Sequence, residues 1–158
     1  MEREEPAAYS VPIVRFFRPA DVGAVVVISG ESPESANWSK ESYLKLVEEN
    51  GSIALVIEAA GNITAFLVGK RAADQAEIFN LAVKGEHRRK GMGTAILSAA
   101  LKEFALENVK SVYLEARESN TNAIAFYEKC GFTKTGRRNA YYRDPDEAAL
   151  TMVKELKG

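Results

Sequence analysis

One stretch decides the fold. It runs Ile78-Phe79-Asn80-Leu81-Ala82-Val83, then Lys84-Gly85-Glu86-His87-Arg88-Arg89-Lys90, then Gly91-Met92-Gly93-Thr94. The first part is apolar and reads as the end of a strand over residues 76–84. The last part opens the strongest helix in the chain, residues 91–107, where Met92, Ile96, Leu97, Ala100, Leu101 and Phe104 recur at helical spacing. A strand that feeds a helix through a short turn is the building unit of α/β proteins. The turn also has a chemistry. The first amides of a helix lack partners, and the helix dipole adds about half a positive charge there. Gly91 and Gly93 let backbone approach a bulky ligand. Arg88, Arg89 and Lys90 add positive potential, so phosphate or pyrophosphate is the natural guest.

The spacing excludes two common phosphate loops. A Walker A loop needs lysine directly after its second glycine, and Met92 stands there. A dinucleotide fingerprint needs a third glycine three positions after Gly93, and that position is Ile96. A solvated basic turn that happens to hold glycines fits the loop equally well. Four basic residues from His87 to Lys90, with no interleaved aromatics, do not make a nucleic-acid surface.

Outward from this unit, the spacing predicts strands over residues 11–18, 53–59, 63–71, 111–117, 132–136 and 149–156. Helices are expected over residues 20–29, 40–49 and 121–130. Ser39 is the expected cap of the second of these, with Tyr43, Leu44 and Val47 as its apolar stripe. Gly61-Asn62 signals a hairpin. Ser119 or Asn120 is expected to cap the 121–130 helix and Gly131 to end it. The order is β-α-α-β-β-β-α-β-α-β-β, an α/β fold with a mixed sheet flanked by helices. Residues 1–11 read as a tail and residues 12–158 as one domain.

Composition narrows the function. The chain has 158 residues, 46% hydrophobic, with Lys+Arg 21 against Asp+Glu 22 for a net charge of −1. That balance points to no polyanion partner. The longest apolar run, residues 22–28, falls far short of the ~20 residues a membrane span needs. The opening Met1-Glu2-Arg3-Glu4-Glu5-Pro6 is unlike a secretory leader, so a cytoplasmic protein with no membrane partner is expected. Cys130 and His87 are each the single residue of its type. Together they exclude an internal disulfide and a cysteine/histidine zinc site, and no metal is expected. Acid-base chemistry falls to Glu, Asp, Lys or Tyr.

Two residues fit that role. In residues 111–117, strand alternation puts Val112, Leu114 and Ala116 on one face and Tyr113, Glu115 and Arg117 on the other. Glu115 is a candidate base, although a solvated carboxylate explains it as well. In the 121–130 helix, Ala123, Phe126, Tyr127 and Cys130 share an inward stripe. This makes Phe126 and Cys130 core residues, and leaves Tyr127 with a hydroxyl that needs a partner.

Taken in order, Arg88-x-x-Gly91-x-Gly93, Leu114-Glu115 and Asn120-x-x-Ala123-x-x-Phe126-Tyr127-x-x-x-Gly131-Phe132 resemble the GNAT superfamily of acetyl-CoA-dependent N-acetyltransferases. The stretches Phe79-Asn80-Leu81-Ala82-Val83, Leu114-Glu115-Ala116-Arg117 and Gly136-x-Arg138-x-x-Tyr141-Tyr142 resemble its RimI subgroup, which acetylates the N-terminal amine of a ribosomal protein. The resemblance implies roles. Arg88, Arg89, Lys90, Gly91, Met92, Gly93 and Thr94 would hold the pyrophosphate of acetyl-CoA. Leu81, Ala82 and Val83 would line its pantetheine arm and thioester, and Asn120 would hydrogen-bond it. Glu115 would be general base and Tyr127 general acid. Trp38, Arg138, Tyr141 and Tyr142 would meet the acceptor, a protein N-terminus, with the enzyme a monomer or weak dimer. Two positions depart from the subgroup: Asn37 precedes Trp38 where proline is usual, and Ala148 follows Glu147 where an acidic residue is frequent. Rival readings are a lysine or small-molecule acetyltransferase, or an acetyl-CoA-sensing module without turnover.

Overall fold

A computed structural model describes residues 11–32, 38–142 and 146–156. Its elements are β1 (Ile13–Phe16), α1 (Val22–Glu31), α2 (Lys40–Glu48), β2 (Ser52–Ala59), β3 (Asn62–Ala72), β4 (Gln75–Val83), α3 (Met92–Leu106), β5 (Ser111–Arg117), α4 (Thr121–Lys129), β6 (Thr133–Tyr142) and β7 (Glu147–Glu155). This is the expected order. The strands form one sheet, β1-β2-β3-β4-β5-β7-β6. Among the described residues only β4 and β5 pair in parallel; every other neighbour pair is antiparallel.

Alternation along the strands builds two cores. On one face, Ile53, Leu55, Ile57, Ala65, Leu67, Val112 and Leu114 pack with Ile96, Leu97, Ala100 and Phe104 of α3 and Ile124 of α4. On the other, Ala54, Val56, Phe66 and Val68 pack with Val25 and Ile28 of α1 and Tyr43 and Leu46 of α2. The second core stops at β4. Over β5, the same face carries Tyr113, Glu115 and Arg117, all partly exposed. The polar residues of β5 therefore look onto an uncovered part of the sheet.

Several expectations are corrected. The α2 stripe buries Tyr43 and Leu46, three positions apart, while Leu44 is only half-buried. The first helix starts later, at Val22, because Pro19–Asp21 forms a 3-10 turn in which Asp21 accepts the Arg18 amide at 2.7 Å. The β2–β3 turn is Ala60-Gly61, both at positive φ (52° and 79°), with Ala59 opposite Asn62. Strand β6 runs six residues past Gly136. Its residues 133–139 are exposed on both faces, so the edge strand carries no alternation to read. Phe126 and Cys130 are half-buried; Ile124 is the residue α4 sends into the core. Asn37 lies outside the described residues. No helix among the described residues is long and apolar enough to cross a membrane.

One irregularity positions the site. Gly69 pairs with Ile78 and Val68 with Asn80, so Phe79 is an extra residue in β4. A β-bulge of this kind bends its strand and turns two successive side chains toward one face. A Cβ on Gly69 would stand 2.4 Å from the Glu77 carbonyl oxygen, so the bulge needs glycine opposite it. Gly69→Ala is expected to cost about 1–3 kcal/mol by forcing backbone apart, read as a lower urea midpoint at unchanged m-value.

Candidate active site

The β4–β5 pairing runs from Gln75/Ser111 to Ile78/Leu114 and stops. Beyond the bulge, among the described residues, residues 80–83 of β4 pair only with β3, and residues 115–117 of β5 pair only with β7. The sheet opens there, and β4 presents an edge of amides and carbonyls with no strand partner. Such an edge recruits an extended ligand. Side chains from both faces of the sheet can reach a common atom only through this gap.

At the gap's mouth, α3 begins. Gly91 caps it at φ 81°, and a Cβ there would meet nothing within 4 Å, so its requirement is the left-handed backbone. Gly93 is required for a different reason: a Cβ there would stand 3.2 Å from the Phe126 ring. The amides of residues 89–94 make no backbone hydrogen bond among the described residues; the first such bond joins the Ala95 amide to the Gly91 carbonyl at 3.0 Å. This run of donors at a helix N-terminus fits a pyrophosphate. Arg89 and Lys90 are exposed, without an ion-pair partner among the described residues. His87 lies beside Glu86, on the flank of the loop.

Arg88 makes hydrogen bonds within the protein. Its Nε donates to the Val83 carbonyl at 3.1 Å and its Nη2 to Ser32 Oγ at 2.9 Å. It ties the loop to the end of β4 and the end of α1. Met92 is buried, its sulfur accepting from Thr64 Oγ1 at 3.2 Å, so only its amide faces the mouth. Asn120 Oδ1 accepts the Ala123 amide at 3.1 Å as the cap of α4. Leu81 and Val83 line the α3 side of the gap, and Ala82 is buried on the other.

Tyr127 lies on the α3 face, its ring 5.2 Å from Phe126 and 5.7 Å from Phe132. Burial raises its phenol pKa, helped by the Cys130 thiol and the Tyr142 phenol nearby. Cys130 is itself raised by burial, which makes a poor nucleophile.

Glu115 lies on the opposite face, with Arg138 Nε 3.2 Å from its carboxylate. Arg138 also sits over the Tyr141 ring at 5.3 Å, and Arg117 over the Tyr142 ring at 4.3 Å. Tyr141 and Tyr142 meet edge to face at 5.1 Å. Burial, then the Glu115 charge, push the Tyr142 phenol up to about 12. The Glu115 charge thus acts on Tyr142, and Tyr142 in turn acts on Tyr127. These side chains reach the site because three residues of β6, 139–141, bulge opposite the buried Ala148. Glu147 serves the frame: it accepts the Ser119 amide and pairs with Arg117. Trp38 stacks at 5.2 Å on Tyr43 and 5.9 Å on Phe79, forming the α2 wall of the same side.

The structure adds a residue that sequence reasoning missed. Glu77 shares the Glu115 face, and its pKa is raised first by burial and then by the Glu115 charge, against Arg138. The signal was a lone carboxylate between Ala76 and Ile78 in an apolar strand. No group of three or more His, Cys, Asp or Glu able to hold a metal occurs among the described residues.

Comparison with known proteins bears on this arrangement. Residues 24–132 match the model of the acetyltransferase (GNAT) family. The chain is 37% identical to [Ribosomal protein bS18]-alanine N-acetyltransferase of Escherichia coli K12, across 73% of this chain and 79% of that protein. It is 34% identical to a putative [ribosomal protein bS18]-alanine N-acetyltransferase of Bacillus subtilis, across 88% and 92%. The crystal structure of Ard1 from Thermoplasma volcanium superposes with a TM-score of 0.86 at 32% identity, covering 93% of this chain and 99% of that one. An open β4–β5 seam, a helix start with unpaired amides, and a phenol and a carboxylate on opposite faces of the sheet are thus carried by a sequence with acetyltransferase relatives along most of its length. The chain belongs to the GNAT family of acetyltransferases, on its RimI-like branch.

Proposed function

We propose that the chain transfers an acetyl group from acetyl-CoA to the N-terminal α-amine of a protein, with a ribosomal protein as acceptor. The observation that carries this reading is the gap where the β4–β5 pairing ends, with Glu115 on the uncovered face of the sheet; in this reading Tyr127 of the covered face serves it from the other side. The acceptor class rests on the relatives whose own acceptor is the alanine of a ribosomal protein. Residues 12–158 act as one domain, monomeric or weakly dimeric, in the cytoplasm.

Acetyl-CoA supplies an activated thioester carbonyl. The amides of residues 89–94, with Arg89 and Lys90, hold its pyrophosphate, and Arg88 holds the loop that presents them. The unpaired edge of residues 81–83 aligns the pantetheine arm and offers an N–H to the carbonyl oxygen, where negative charge develops. The Asn120 amide group adds a donor near α4. Glu115 takes the proton of the attacking amine through water. Tyr127 gives a proton to the departing sulfur. Its raised pKa keeps the phenol protonated, and the same dry surroundings raise the proton affinity of the thiolate it serves. Trp38, Tyr141 and Tyr142 wall the acceptor. Arg138 already holds one cation against Glu115, so the arriving ammonium competes with it for that carboxylate.

An α-amine suits this base. Its pKa of ~7.7–8.0 leaves about a tenth of it neutral at pH 7, against less than about a thousandth of a lysine at ~10.4. Turnover with short peptides checks the reading. Peptides with a free α-amine are expected to be acetylated, and blocking that amine while leaving a lysine free is expected to abolish the reaction. An unchanged rate on the blocked peptide would mean a lysine or small-molecule acceptor. Coenzyme A binding with no turnover on any amine would mean a sensing module.

A further inference from the structure

Tyr43 is fully buried and plays no part in the chemistry above. Its hydroxyl accepts from Asn80 Nδ2 at 3.0 Å and donates to Ser29 Oγ at 3.3 Å. The surroundings are apolar: Val25, Ile28, Leu46, Val56, Phe66 and Val68. Phe66 meets the Tyr43 ring edge-on at 5.7 Å. A phenylalanine facing a leucine would fill such a space without polar groups to satisfy. Buried polar pairs of this kind fix orientation rather than add stability.

What they orient is the bulge. Asn80 is the first residue of β4 to regain its β3 partner after Phe79, and it comes two residues after the last β5 pair. Phe79 and Asn80 both turn toward the α1–α2 face. There Phe79 meets Trp38, and Asn80 meets Tyr43, on which Trp38 also stacks. The next residues, Leu81 to Val83, form the free edge.

We propose that Tyr43 is a positioning residue for acetyl transfer, acting through Asn80 to fix the bulge and hence the angle at which the free edge of β4 meets the thioester. The proposal rests on the acetyl-transfer reading of the gap. Tyr43 touches neither cofactor nor acceptor. Cofactor affinity comes mainly from the helix start, which this hydrogen bond does not reach, whereas alignment at the carbonyl comes from the edge. A small misalignment of reacting atoms lowers turnover far more than binding.

The test is a two-residue cycle on the full chain, with kcat from thiol release at saturating substrate, the Kd of acetyl-CoA, and the melting temperature. Tyr43→Phe is expected to lower kcat about tenfold, with Kd within about twofold, at temperatures well below melting. Asn80→Ala, which removes the bond from the other side, is expected to do the same, and it carries the test alone if Tyr43→Phe does not fold. The double variant is expected to lose clearly less than the product of the two single losses, because both variants remove the Tyr43–Asn80 bond. Unchanged kcat in either folded variant overturns the proposal. So does a multiplying loss in the double variant, or a kcat deficit that vanishes on cooling as a smaller folded fraction would. Wild-type protein that releases no thiol with any amine would instead bring down the acetyl-transfer reading.

Discussion

Tyr127→Phe is expected to lower kcat by about 10²- to 10³-fold, within the range typical for loss of a general acid. The ring stays between Phe126 and Phe132, so packing is kept and only the hydroxyl is lost. Acetyl-CoA affinity should change by less than about twofold, because the proposed pyrophosphate site is the start of α3 and not the phenol. The loss should ease with thioesters whose thiol is more acidic, since a better leaving group needs its proton less. Steady-state kinetics on acetyl-CoA and on an activated thioester measures both. A variant with wild-type kcat on acetyl-CoA would show that solvent, not Tyr127, protonates the sulfur.

Gly91→Glu is expected to raise the Kd of acetyl-CoA by more than about 10²-fold. Two effects act there. The residue sits at φ 81°, which costs a side-chain-bearing residue about 1–2 kcal/mol. The new carboxylate also enters the field of amides that a pyrophosphate would occupy. Two unit charges 4 Å apart repel by about 4 kcal/mol at an effective dielectric of 20. Gly91→Asn separates the effects, because asparagine tolerates the left-handed region and is uncharged. Its Kd should stay within about tenfold of wild type. Calorimetric titration of both variants checks this. Normal binding by Gly91→Glu would refute the anion site, and equal losses in both variants would assign the effect to strain.

How much of this was legible in the sequence follows from where the information is local. The α3 stripe and the alternation of β5 are written in periodicity, and both agree with the structure at Ile96, Leu97, Ala100, Val112 and Leu114. Strand β6 beyond Gly136 was invisible because an exposed edge asks nothing of its side chains. The face on which Glu115 lies was readable; that Arg138 meets it was not, since the contact depends on a three-residue bulge opposite Ala148. The target of Arg88 was equally hidden. Its motif position suggests an anion, yet Ser32, 56 residues earlier, accepts its guanidinium. Asn80 and Tyr43 are 37 residues apart and sit in segments that read only as a strand and a helix. Pairs separated this far in sequence are set by packing, which no local pattern encodes.

The short seam between β4 and β5 has a mechanical meaning. Among the described residues, four register positions, Gln75 to Ile78 against Ser111 to Leu114, carry the strand pairing between the β1–β4 half of the sheet and the β5–β7 half, with the Lys110 and Ser111 amides on the Asp74 carbonyl just before them. Beyond that pairing, the covered face holds the junction by side-chain packing under α3. A ligand laid in the gap therefore extends a short joint, and the two halves borrow cohesion from it. Tight binding of donor and rigidity of the fold become one quantity, shared by mass action. An enzyme built this way is stiffest when loaded and loosest after its product has gone, which is when it must open for the next donor.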